Sequence, residues 1–424
     1  MNNGRIGGFS RCFNWCLTVF LPLGRRLAAR NSAAFDRRNR CARYSESAAM
    51  SDVHAPWAAK TRKGPPNSMS LPRNAEIWLL PYLKDKVRKS LRPAKPRRAW
   101  VTITDHYEPI GKQGTVEGAL RRVAQWQEKW PKVADNAPRD AAGQCPQHTF
   151  FYPQEEYDRG VVDGIAEMVR LGVGDVEVHL HHKDEQRDSF IEKITDFCRR
   201  LRNDHGLLRH RDGRTLFGFI HGNWALDNSH PDGKFCGLNG EIALLRDLGC
   251  YADFTMPSIP SPTQGRGVNQ IYWCTNNRDN RPKSFDQGVV ATAGGGRQGD
   301  LLMITGPVGL RFGGRLMPRV ETGELAGNDM PTTSRVRRWL DLAPVIGEDL
   351  FLKLHTHGAA DRSRDQLLNT GLANLFSMLA EEADQRGIEI HWATAWQMYQ
   401  AVDALIHARS PVPVSENLIA ESSR

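Results

Sequence analysis

The sequence predicts an α/β protein built as a distorted (β/α)7–8 barrel, one main domain behind a basic N-terminal tail. Three observations predict it. From Arg98 onward, apolar runs of strand length alternate with helical periodicity, the pattern of βα units on a parallel sheet. Seven or eight such units fit in about 310 residues, and a closed or nearly closed barrel takes roughly 250 plus insertions. The unusual polar clusters fall at the C-terminal ends of the expected strands, the rim where the loops of a barrel build a site.

Taken in order, residues 1–75 read as a tail. Residues 1–100 hold 21 Lys and Arg against 5 Asp and Glu, while the remainder holds 36 against 43, so the formal charge of +9 belongs to the N-terminal part. An acid-poor, Arg-rich stretch with much Ala, Ser and Pro cannot bury enough surface to order itself. The apolar run from Phe13 to Leu23 is too short to span a bilayer. It resembles a signal-peptide core weakly, since Arg25 and Arg26 stand where small residues are expected. Met50 or Met69 is an alternative start. Residues 76–97 are expected to form a short amphipathic helix, with Trp78, Leu79, Leu83 and Val87, and a Pro-rich linker; residues 98–408 form the barrel and 409–424 a flexible tail. Expected strands are 99–105, 148–152, 175–181, 215–221, 250–255, 301–305, 350–356 and 388–392. Expected helices are 115–130, 159–171, 186–203, 238–248, 332–342, 364–383 and 394–408. The interval 256–300, rich in Pro, Gly, Asn and Gln, reads as long loops with a short strand at 271–273.

The eight cysteines are scattered without a Cys-x-x-Cys, which suggests reduced thiols and a cytoplasmic protein, with export by the weak N-terminal signal left open. The mildly acidic barrel argues against a phosphate-binding groove, so no nucleic-acid partner and no transmembrane segment are expected. The oligomeric state is open.

The densest chemistry lies in Asp175-Val-Glu-Val-His-Leu-His-His-Lys183. Alternation puts Glu177, His179 and His181 on one face, with the two imidazoles about 7 Å apart at a rise of roughly 3.3 Å per residue, close enough to converge on one ion. Strand ends elsewhere carry Thr104-Asp105-His106-Tyr107-Glu108-Pro109, His221-Gly222-Asn223-Trp224 and His355-Thr356-His357-Gly358. A divalent ion held by His106, His179 and His181 acidifies a water and polarises a carbonyl, the chemistry of amide or ester hydrolysis. Asp105 is expected to be the base and His355 the acid. His221, Asn223 and Trp224 suit a sugar ring, which offers apolar faces and hydroxyls. His182, Glu108, Asp253 and His357 are the alternatives for these places.

In order and placement, Asp105-His106, His179-x-His181, the His221 segment and Leu352-Lys353-Leu354-His355 resemble the motifs of the polysaccharide deacetylase superfamily over about residues 98–408. The resemblance implies a β/α barrel, a carbohydrate substrate and one divalent ion, zinc first with Mn, Fe, Co or Ni open. It matches Asp105 to the family's base, His106 to a ligand, His179 and His181 or His182 to the metal histidines, and His355 to the general acid. The chain is similar to a divergent branch: His106 replaces a carboxylate, the histidine pair is spaced i, i+2, and the third motif lacks its arginine. The expected activity is removal of an acyl group from an amino sugar or related carbohydrate amide. The alternatives are a glycoside hydrolase with paired carboxylates and an inactive carbohydrate-binding barrel.

Overall fold

A computed structural model describes residues 71–412 apart from 92, 113 and 313–317. The chain divides into Met1–Pro66 and Asn67–Arg424. The expectations for residues 1–70 and for the tail beyond 412 therefore lie outside the described residues.

Helix α1 (Ala75–Leu91) leads into the alternating series. That series runs β1 (Arg98–His106), α2 (Val116–Asn136), β2 (His148–Pro153), α3 (Arg159–Arg170), β3 (Gly174–Leu180), α4 (Arg187–His205), β4 (Arg214–His221), α5 (Glu241–Leu248) and β5 (Cys250–Asp253). Two further strands, β6 (Ile271–Cys274) and β7 (Leu301–Ile304), precede α6 (Thr333–Leu342) and β8 (Asp349–Thr356); α7 (Asp361–Gln366), α8 (Leu372–Gln385), β9 (Glu389–Trp392) and α9 (Ala395–Ile406) complete it. The local causes are ordinary ones. Asp158 caps α3 by accepting from Val161 N, and its buried stripe Val161, Val162, Ile165, Met168 and Val169 follows the helical period. Thr394 and Gln397 form a capping box on α9. The helix expected at 364–383 is interrupted by a π turn at Leu367–Gly371, which separates α7 from α8.

The α/β class holds, and the barrel is distorted. The ladder runs β8–β1–β2–β3–β4–β5–β7–β6 within a 13-stranded sheet, and β6 is antiparallel to β7. Strand β9 pairs with the first half of β1 (98–101), while β2 takes the last residues (104–106). The outermost members are two-residue strands, Glu324–Leu325 on β8 and Val289–Val290 on β6. Among the described residues no ladder joins these ends. A side chain spans part of that gap: Lys353 of β8, 1% exposed, donates from Nζ to the carbonyls of Phe254 and Met256 just beyond β5. Burial pulls its pKa down to about 7, against the attraction of Asp253.

Alternation along each strand sorts the residues between two cores. Ala99, Val101, Ile103, Phe217, Phe219, Leu352 and Leu354 pack with the outer helices. Trp100, Phe151, Ile220 and Phe351 face the other way and pack on α9 through Met398 and Val402. This parity decides which polar side chains reach the inner mouth and which join the helical layer.

Candidate functional site

The mouth is built on the inner face, where even positions of β1 and odd positions of β3 and β8 point. His106 therefore shares its side with Trp100, and His355 with Phe351. His106 lies 5.0 Å from His179, 4.8 Å from His357 and 6.5 Å from His355, ring centre to ring centre. His179 and His181 meet edge to face at 4.7 Å, closer than their backbone spacing suggests because the rings turn toward each other.

Glu108 completes the arrangement. Tyr107 turns outward against Trp126 and Phe150, so Glu108 returns to the inner side. Its Oε1 lies 3.1 Å from His179 Nε2 and 3.4 Å from His181 Nε2. The opposite nitrogen of each ring has its own partner: His179 Nδ1 bonds the carbonyl of Ile220 at 3.1 Å, and His181 Nδ1 bonds Glu155 Oε1 at 2.5 Å. An acceptor at Nδ1 holds a proton there, so an ion that displaced the Nε2 proton now facing Glu108 would meet a lone pair, the arrangement found behind metal-bound histidines. The ligand atoms of Glu108, His179 and His181 lie within 4.8 Å of one another, as do those of His106, Glu108 and His357. Glu108 belongs to both groups. The residues thus fit a divalent ion.

The electrostatics agree with that use at His106, His179 and His355. Burial, reinforced by neighbouring imidazoles, holds His106 well below the ordinary histidine range, and burial likewise lowers His179. His355 is also pushed well down, by burial and then by Lys353. Neutral rings keep their lone pairs. His181 differs: burial lowers it, but hydrogen bonds to Glu108 and Glu155 carry it up to about 10. Glu108 is held well below the usual carboxylate range by His179 and His181 even though burial opposes this.

The structure brings His106, His179, His181 and His355 together and leaves the other expected residues elsewhere. Asp105 lies on the opposite side of β1, fully buried, with Oδ2 on His148 Nε2 at 2.8 Å and Oδ1 accepting from Gly358 N at 2.6 Å. It follows Ile103 into the helical layer, so its placement does not suit a base at the mouth. His221 is also fully buried on that side, beside His182 at 4.4 Å between ring centres, and does not offer a sugar contact. Asn223 Nδ2 donates to His182 O and is occupied in holding the turn. Trp224 is half-buried with a left-handed backbone, φ 58°. Asp253 is enclosed, bonded to Thr255 N and Oγ1 and pushed up to about 7 by burial.

Glu108 and His357 were alternatives in the sequence; Glu155 had no role there. A continued alternation 104, 106, 108 reveals Glu108. Glu155 sits in a 3-10 turn, Gln154–Glu156, after β2, and no strand or helix period points to it.

Gly222 is required by the same geometry, because a Cβ there would come within 2.5 Å of Cγ of the His181 ring. Gly222→Ala is expected to displace that ring and weaken metal retention at the mouth about 10- to 100-fold, as measured by competition with a chromogenic chelator. Unchanged retention would show that His181 is not a ligand.

No helix among the described residues is long and apolar enough to cross a membrane. No protein-family model and no curated protein matches the chain. Among solved structures, a provisionally assigned glycoside hydrolase/deacetylase from Parabacteroides distasonis aligns with TM-score 0.38 and 10% identity over 72% of this chain and 70% of that one. A GH57 branching enzyme from Thermococcus kodakaraensis aligns with TM-score 0.37 and 9% identity over 70% of each. Scores this low do not establish a common fold, and neither protein's chemistry transfers to this chain.

Proposed function

We propose that this chain is a metal-dependent hydrolase of an acylated amino sugar or related carbohydrate amide, with its ion held by Glu108, His179 and His181 and approached by His106 and His357. The observation that carries the reading is the paired tautomer control: Ile220 O and Glu155 fix Nδ1 of two histidines whose Nε2 atoms converge on one carboxylate oxygen. When bound, a divalent ion there supplies Lewis acidity toward a carbonyl and a nucleophile near neutral pH. Zinc suits a nitrogen-rich set with one carboxylate, and Mn, Fe, Co and Ni remain compatible.

The chain's own groups supply the rest. Nδ1 of His355 is buried without a partner among the described residues, which leaves it free to accept the proton of the attacking water and return it to the departing nitrogen. Glu155 orients His181. A glycosidase needs two carboxyl groups about 5–9.5 Å apart across the bond. That alternative pairs Asp105 with Glu108 or Asp253, and Asp105 is bonded inside the protein to His148 and Gly358, which favours amide hydrolysis.

The test is acetate release from N-acetylated amino-sugar oligomers by the zinc-loaded full chain, with His179→Ala and His355→Gln beside it. Release is expected from the parent, loss of metal and activity from His179→Ala, and loss of activity with metal retained from His355→Gln. A parent that binds no metal at the mouth would sink the reading.

A further inference from the structure

A second group of ligand-type residues lies on the other side of the sheet. His182 follows β3, His221 ends β4, Cys236 lies in the connection after it, and Glu241 opens α5. All four are buried, and one ligand atom from each lies within 4.8 Å of the others. His182 Nε2 is 3.0 Å from Glu241 Oε1, and Cys236 Sγ is 3.5 Å from Glu241 Oε2.

We propose that His182, His221, Cys236 and Glu241 form a closed, four-coordinate zinc site that fastens residues 222–240 to the barrel. Ligands about 2.0–2.3 Å from a tetrahedral ion stand roughly 3.3–3.7 Å apart, so the four atoms need only a small contraction. Two observations beyond proximity point to an ion. His221 is fully buried, and its Nε2 has no protein partner among the described residues. The sulfur of Cys236 accepts from Asn228 N at 3.3 Å and Leu238 N at 3.4 Å, as amides around a coordinated thiolate do, and its S–H donates to Glu241 Oε2 at 3.5 Å and Leu238 O at 3.6 Å, the proton that an ion would displace. Glu241 is steadied in turn by Asp227 N at 2.6 Å.

The need for a fastening is visible in the same segment. Its only regular element among the described residues is the 3-10 turn Leu226–Asn228, and Trp224, Asp227, Asn228 and Phe235 all have positive φ. Such backbone persists where the surroundings over-determine it. Four protein ligands and full burial leave no open position, so this ion is structural and separate from the half-open mouth. Ligation through His221 Nε2 moves the ring proton to Nδ1, where Asn223 N now donates at 3.2 Å, so loading is expected to break that bond.

The full-length protein with Glu108→Gln, stripped at the mouth and then supplied with zinc, is expected to keep about one zinc per chain after dialysis against a weak chelator. Cys236→Ser in that background is expected to lose it. Cobalt supplied to the parent chain should give a near-ultraviolet thiolate-to-cobalt band with strong tetrahedral visible absorption, and Cys236→Ser should lose the ultraviolet band. A parent cobalt protein without the thiolate band overturns the proposal even if the serine variant fails to fold. Equal zinc retention in a folded Cys236→Ser protein overturns it as well, whereas unchanged total metal in Glu108→Gln counts only against the mouth.

Discussion

Glu108→Gln is expected to strip the mouth of its ion and to lower hydrolysis by on the order of 10^3 or more, because it removes the one carboxylate common to both ligand groups. The substitution keeps the size and removes the charge. Metal analysis alongside turnover reads both losses. A third readout needs no substrate: in chelated protein His181, held at about 10 by Glu108 and Glu155 against burial, should titrate nearer the ordinary histidine range, as followed by its ring protons in NMR. A variant with full activity and an unmoved His181 would remove Glu108 from the centre of the site.

The same pair gives the metal-free protein a pH signature. The folded pKa of His181 is raised above its unfolded value near 6.5, so its contribution to stability is fully present below that value. It declines as pH rises through about 10. Denaturant midpoints of the chelated protein should therefore fall over that alkaline window, and the fall should shrink in Glu155→Gln.

Asp105→Ala is the second large effect, and it is expected in stability. The change leaves His148 and the Gly358 amide buried without their partner, in a layer closed by Trp126, Trp130 and Phe150. Breaking a buried charged contact of this kind costs about 3–5 kcal/mol. With an unfolding entropy of about 2.1 cal/mol/K per residue over an ordered region of this length, the unfolding midpoint drops by roughly 4–7 °C in a calorimetric scan. Gly358 shows how tight the contact is, since a Cβ there would collide with Asp105 Oδ2. Metal content and KM of the folded fraction are expected to match the parent. Lost turnover with an unchanged midpoint would instead restore Asp105 as the base.

Much of the architecture was legible because each unit carries its own period. All eight expected strands form, and the expected strand at 271–273 appears as β6, although its antiparallel place beyond β7 had no sequence signal. The site was legible where alternation was applied, as for His179 and His181. It was misread where neighbouring residues were grouped by proximity along the chain. Asp105 and His106 adjoin in sequence, yet β1 continues through His106, so consecutive side chains leave on opposite faces. His221 went astray for the same reason, following Phe219 outward while Ile220 faces in. Glu155 reaches His181 from a turn, and a turn has no period to read.

The two terminal ladders of the sheet, Val289–Val290 and Glu324–Leu325, are each only two residues long. A neighbouring molecule seeking to extend the sheet finds too few free amides and carbonyls in line to anchor a strand. An unsealed barrel is therefore protected against edge-to-edge self-association by brevity, and lengthening either terminal strand is the change that would invite fibrous or domain-swapped assemblies.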